Sequence, residues 1–423
     1  MMLCMHDVRL LCDPWFSGTA FSGGWGLHYE NPQALEQACS ATHLWISHWH
    51  SDHLHAPTLA ELAARRPDLC VLANQSANFS MLERVRSFGF SKVLPVPERE
   101  TLSLGEHVNI TRQPTAGIDN MLHIKSAQWS VLNYNDCNLP ARALRAVCKR
   151  VGKVDLLLTN YNHAGKLFAR SSAAQIKDTF WDALAKVIDV VQPQIVVPFA
   201  SAHYYRTAWS CNQNQSLLQF DELQARAGAD RRFVILRIGD SVRLASGEHS
   251  VTRRDPPLAP SAYERHNYGD SVPWPELIEV ADQRSFGLAK HFPLLGRLMT
   301  RPLRIGLQDL GRAVLLRVGQ AAEEVAPNNL EIVTHSRALY DWLGRRFGDD
   351  TFFAGAHFEI VSEDTRAVRA WALITLLEGS HLDPRSLLGY CADPEGRRFL
   401  LHRGEELWAT LRDFRLKAGQ LRV

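Results

Sequence analysis

The stretch Leu44 to His55, LWISHWHSDHLH, decides how this chain is read: an apolar run ends directly on His48-x-His50-x-Asp52-His53. In an extended chain, residues i and i+2 project to the same side, so His48 and His50 can offer two imidazoles to one cation. Asp52 and His53 then fall in the turn before the next amphipathic stretch, where they can point across at a second cation. Buried imidazoles and carboxylates must find a partner for every polar atom, so this density of them at a strand end is hard to explain by packing.

Outward from that segment, short apolar runs alternate with amphipathic stretches from Met1 to about Gly247, the pattern of a layered α/β domain. Strands are expected at Val8 to Leu11, His43 to Ser47, Cys70 to Ala73, Val131 to Tyr134, Asp155 to Thr159, Ile195 to Pro198 and Phe233 to Leu236. Helices are expected at Ala56 to Arg66 and Thr179 to Gln192. The Pro-rich polar stretch 253–273 reads as a connection. It separates a catalytic unit, 1–252, from a smaller α+β unit, 274–423. In that second unit Leu303 to Leu307, Ala313 to Val318, Leu330 to Thr334 and Phe352 to Val361 read as strands. Ser336 to Phe347 and Thr365 to Leu377 read as helices.

The 423 residues are 46% hydrophobic and 22% charged, fractions that suit an ordinary globular protein and exclude disordered or fibrous classes. Lys+Arg 47 against Asp+Glu 45 gives a formal charge of +2, so nothing calls for a nucleic-acid partner. No apolar run is long enough for a membrane span, and the N-terminus lacks the plan of a secretory signal. The eight cysteines are scattered without a CxxC pair, which suits reduced thiols in the cytoplasm. No GxGxxG follows a strand, so a dinucleotide fingerprint is absent.

An HxHxDH segment after a strand resembles the metallo-β-lactamase superfamily. The stretches LLCDPWFSGTAFSGGWGLHYENP (Leu10 to Pro32), ISHWHSDHLHAPTLAELAARRPD (Ile46 to Asp68), VLNYNDCNLP (Val131 to Pro140) and VVPFASAHYY (Val196 to Tyr205) are similar to the catalytic part of the CMP-N-acetylneuraminate hydroxylase family. The resemblance covers about residues 3 to 245. It implies an αββα sandwich with metals at one edge, followed here by an α+β unit with a looser likeness to sterol-carrier modules. Residue by residue it implies metal ligation by His48, His50, Asp52, His53 and a bridging Asp136. Asp52 and Asp136 would also act in catalysis. Asp13 and Asn135 would orient the histidine loop.

Where the superfamily places a further histidine this chain offers Asp119, with His123 a competitor that sits in an alternating strand pattern. The last ligand falls to His203, with His163 as the alternative. The loop holding Trp15, Phe21 and Trp25 would wall the substrate pocket, together with His163. Two histidines with carboxylates and open positions suit iron and oxygen chemistry, although zinc also accepts carboxylates.

Two metal ions are therefore expected, iron favoured and zinc or manganese as alternatives, serving a diiron oxygenase or else a zinc hydrolase of an ester, amide or phosphodiester. A third class is a metal-holding scaffold whose C-terminal unit binds a lipid or a protein. In the resembled hydroxylases a Rieske domain with Cys-x-His and Cys-x-x-His pairs delivers electrons. Here Cys4-Met5-His6 stands without a Cys-x-x-His. An oxygenase on this chain is thus expected to draw on a separate ferredoxin or reductase, or on its small-molecule substrate; a homodimer is compatible with the second unit.

Overall fold

The computed structural model describes residues 1–379 except 32, 75–80, 116–117, 169–170, 246–247, 254–263, 294–295, 297, 299 and 346–347, and beyond 379 only 397, 401 and 404. Cys391 and much of the expected connection lie outside the described residues.

The apolar run before His48 forms the strand His43–Ile46, the centre of a five-stranded sheet ordered Met2–Met5, Val8–Cys12, His43–Ile46, Cys70–Ala73 and Lys92–Pro95. All neighbours are parallel except the first hairpin. A second sheet is ordered Ile195–Pro198, Leu156–Thr159, Ser130–Asn135, Asn120–Lys125, Asn109–Pro114 and Thr101–Ser103. Its first three strands are parallel and the others antiparallel.

Side-chain alternation assigns the faces. Leu10, Trp45 and Leu72 of the first sheet meet Ile110, Leu122, Ile124 and Leu158 of the second. Leu44, Ile46, Val71 and Ala73 point the other way, onto the helices Ala56–Arg65 and Met81–Arg86. Leu132, Tyr134, Leu157 and Val196 pack on the helices Ala141–Val151 and Ala173–Val191. The parallel strands are thus covered on both faces, as such strands require, and the layers run helix, sheet, sheet, helix: an αββα sandwich.

The C-terminal part has its own sheet, ordered Glu323–Val325, Arg312–Leu316, Leu303–Leu307, Ile332–Thr334 and Phe358–Ile360. The helices Trp274–His291, Ser336–Gly344 and Arg366–Gly379 accompany it. Leu277, Ile305, Val314, Trp342, Phe352 and Trp371 belong to its separate core.

Three expectations need correction. Phe233 to Leu236 forms no ladder strand; Phe233 makes a single bridge to Val196, because Val196 bonds only Arg232 and Val234 there. The expected strand Phe352 to Val361 is split: Asp350–Ala354 is a π-helical turn, and only Phe358–Ile360 is extended. Consecutive aromatic residues Phe352 and Phe353 both pack inward there, which strand alternation does not allow. The helix expected from Thr179 begins at Ala173, where Ser172 and Gln175 form a reciprocal capping box.

Candidate metal centre

The C-terminal ends of the parallel strands open on one edge of the sandwich, where ligand sites of α/β sheets lie. Asp13 follows Val8–Cys12, the histidine loop follows His43–Ile46, and Asp136 follows Ser130–Asn135. Asp119 precedes Asn120–Lys125, and His203 opens the short strand His203–Tyr205. Asp13 and Asn135 adopt positive φ, 42° and 58°, which turns the chain sharply at the site.

One ligand atom each from His48, His50, Asp119 and Asp136 lies within 4.8 Å of all the others. A second group shares Asp136: its Oδ2 is 3.8 Å from His48 Nε2 and 3.3 Å from His53 Nε2. Asp52 Oδ2 is 3.3 Å from the same His53 Nε2.

The other nitrogen of each imidazole is occupied, which fixes which nitrogen faces inward. His48 Nδ1 is 3.0 Å from the Ser47 hydroxyl. His53 Nδ1 is 3.2 Å from Asp13 Oδ2, while Asp13 Oδ1 accepts from the Ser47 amide at 2.8 Å. Asn135 Nδ2 donates to Asp13 Oδ2 and to the Ser47 hydroxyl, both at 2.9 Å. His203 stacks on Trp25 at 4.1 Å and bonds the His163 backbone.

The buried atoms Asp52 Oδ1, Asp136 Oδ1 and His203 Nε2 have no hydrogen-bond partner in the protein. Unpartnered buried polar atoms are costly, and with Asp52 and Asp136 each bringing its Oδ2 to 3.3 Å from His53 Nε2 these residues fit a cation. The charge balance agrees. Burial opposes charge on Asp136, yet His53 and His48 hold its carboxyl far below the usual range. Burial and the charge of Asp136 push Asp119 up to about 7. Burial would lower His50 and His53, but Asp350 overcomes this for His50, raised to about 9, and Asp52 with Asp136 does so for His53. Burial and His53 drive His48 down, and burial with His163 takes His203 to about 3. The carboxylates therefore draw positive charge into a buried site, which protons or divalent cations can supply.

His163 lies apart from this cluster: its Nε2 is 2.9 Å from Ser216 Oγ and its Nδ1 is 2.9 Å from Tyr205 Oη. His123 pairs with Ser130 Oγ inside the second sheet. Trp15 and Trp25 line a cavity of about 950 Å³ that reaches Asp52, His53 and His203. Phe21 and His163, expected beside them, are not among its lining residues. Phe21 is instead packed edge-on against Trp25, and its carbonyl accepts from His357. His55, at the end of the motif, caps the helix Ala56–Arg65.

Sequence reasoning missed Ser47, Asn120 and Asp350. Asn120 Nδ2 ties the strand after Asp119 to the Ser47 carbonyl at 2.8 Å. Asp350 brings its Oδ1 to 3.6 Å from His50 Nε2, and its Oδ2 accepts from Trp49 Nε1 at 3.3 Å. Ser47 and Asn120 adjoin ligand candidates and were open to inspection; Asp350 carries no local signal.

Fold and site together define a metallo-β-lactamase-like sandwich with a His/Asp cluster that can hold metal at its strand ends. No family model matches the chain. The chain is similar to the cytidine monophosphate-N-acetylneuraminic acid hydroxylase of Gorilla gorilla gorilla, 30% identical over 226 residues that span 47% of this chain and 36% of the relative. A segment of 70 residues is 51% identical to the hydroxylase of Pongo pygmaeus, covering 16% of this chain and 12% of that one. The chain therefore spans well under half the length of these curated relatives.

Among solved structures, a variant of the β-hydroxylase CmlA aligns over 60% of this chain and 52% of its own, with 18% identity and a TM-score of 0.41. The metallo-β-lactamase fold protein YhfI from Bacillus subtilis aligns over 56% and 86%, with 13% identity and a TM-score of 0.36. Among the described residues, no helix is long and apolar enough to cross a membrane.

Proposed function

We propose that this chain is a dinuclear metalloenzyme, a non-haem diiron oxygenase acting on a small molecule with electrons from a separate donor. One observation carries the reading: two imidazoles and two carboxylates, His48, His50, Asp119 and Asp136, gather within 4.8 Å, and Asp136 also reaches His53. Two histidines with carboxylates and open positions suit iron and oxygen chemistry. His48, His50 and Asp119 would hold one ion, Asp52, His53 and His203 the other, with Asp136 between them. When bound, such a pair supplies oxygen activation if iron, or Lewis-acid activation of water if zinc. Local similarity to hydroxylases supports the first.

The protein's own residues do the rest. Asp13 and Ser47 hold His53 and His48 by their outer nitrogens, so the inward nitrogens stay aimed without rearrangement. Asp52 lines the cavity, where its carboxylate would act beside a bound substrate. The cavity, at about 950 Å³, falls within the range of small-molecule sites, and Trp15, Phe16, Trp25, Leu27, Tyr161 and Phe199 give it a largely apolar and aromatic wall. A substrate with an apolar body suits it. We also divide the chain at 253–273 into a catalytic unit and an accessory unit.

Metal analysis of protein purified without added metal or chelator, with Mössbauer spectroscopy of protein grown on the Mössbauer-active isotope, tests the reading. Two irons per chain with an exchange-coupled signal support it. Zinc at that stoichiometry, without coupled iron, replaces it with hydrolysis of an ester, amide or phosphodiester.

A further inference from the structure

Three imidazoles of the site have their outer nitrogen held from within the sandwich: His48 by Ser47, His53 by Asp13 and His203 by the His163 backbone. His50 differs. Its Nδ1 faces His48 Nε2 at 2.9 Å, and its Nε2 faces Asp350 of the C-terminal part at 3.6 Å. The second oxygen of the same carboxylate accepts from the Trp49 indole at 3.3 Å, so one side chain grips two consecutive residues of the histidine loop.

We infer that Asp350 is a positioning residue for the metal centre, a carboxylate lent by the C-terminal part that holds His50 with its Nδ1 turned inward. The inference rests on the metal reading above but not on the choice between oxygen and hydrolytic chemistry. A carboxylate on the outer nitrogen of a ligating histidine fixes the ring and raises its basicity. The surrounding structure holds Asp350 in place. It opens the π-helical turn Asp350–Ala354, a rare geometry that recurs at functional sites. Phe352, two positions on, stacks between Trp342 at 4.6 Å and Phe358 at 4.8 Å.

The turn is then fastened to the sandwich at several points. The Lys166 amide donates to the Phe353 carbonyl at 3.0 Å, the Thr207 hydroxyl to the Ala356 carbonyl at 2.9 Å, and His357 Nε2 to the Phe21 carbonyl at 2.7 Å. The two segments approach so closely at Gly24 that a Cβ there would stand 2.6 Å from the Gly355 carbonyl oxygen. Only glycine admits that contact.

The test is cobalt(II) binding to the full chain, read as a dissociation constant and as the ligand-field spectrum, with thermal melts alongside. Asp350→Asn keeps the size of the side chain and removes its charge. It should weaken cobalt binding by about 10–100-fold and shift the spectrum. Glu359→Gln removes a different docking contact, the 2.8 Å ion pair with Lys166, and should leave both readouts unchanged. Asp350→Asn and Asp350→Ala with wild-type affinity and spectrum would overturn the inference. So would an equal loss in Glu359→Gln, since the effect would then belong to docking. Wild-type protein that takes up no cobalt would defeat the metal reading and this inference together.

Discussion

The two halves of the candidate metal centre are built differently. In the deep half, Asp52, His53 and His203, the two histidines are buried, the His53 side chain 5% exposed; its holding partner Asp13 follows the second strand, and the cavity runs up to this group. In the outer half His48 is fully buried, while the side chains of His50 and Asp119 are 22% and 28% exposed. This half draws a holding contact from Asp350, 301 positions beyond Trp49. The deep half takes its holding contacts from the sandwich, whereas the outer half, through His50, also faces Asp350 of the C-terminal part. Asp136 Oδ2 reaches His48 of one group and His53 of the other.

The comparison breaks most severely at Asp136. Asp136→Ala should abolish binding of both ions and all turnover, because it removes the oxygen shared by the two groups. One ion bound at wild-type affinity, measured by calorimetry, would show that the halves are independent. His203→Ala should do less, lowering the stoichiometry from two ions to one by emptying the deep half. Loss of both ions would show that the outer half cannot load alone. Asp13→Asn should be milder still, a loss of about 10–100-fold in affinity confined to the deep half, because it removes an outer partner and no ligand. A uniform loss over both ions would contradict the division. Asp119→His should change selectivity more than affinity, favouring zinc over iron, and an unchanged metal ratio would remove Asp119 from the ligand set.

What could be read in the sequence follows the same line. His48, His50, Asp52 and His53 meet through strand and turn geometry alone, so local spacing carries their convergence. Asp13 and Asp136 are marked by the ends of strongly apolar runs. The alternation Met121, His123, Lys125 reads as a strand and lies in Asn120–Lys125, whereas Asn109–Pro114 escaped notice because it buries Arg112 and Gln113, which hide the apolar alternation. Those polar residues are satisfied by neighbours, as where Arg112 Nη1 donates to Asn120 Oδ1 at 2.9 Å. Asp350 was illegible for another reason. Its meaning comes only from docking, and no periodicity within Asp349 to Ala354 registers what the chain touches elsewhere.

The docking contact itself offers the finest test, through pH. His357 is buried between the two parts, with Nε2 on the Phe21 carbonyl and Nδ1 2.7 Å from Tyr268 Oη. Burial lowers its pKa to about 4, against the bond to Phe21, with nearby His266 adding to the fall. An unfolded histidine titrates near 6.5. Above that value both states are neutral and the full stability is present. As pH falls from about 6.5 to about 4 the unfolded chain binds a proton that the folded chain refuses, so stability declines, and below about 4 the loss levels off. The contribution reaches about 3 kcal/mol. Urea unfolding followed across that window should show His357→Gln with a pH slope about one proton shallower than wild type, about 1.4 kcal/mol per pH unit. Equal slopes in the two proteins would mean that His357 does not stay neutral at this junction, and the acid sensitivity would then lie in the site's own histidines.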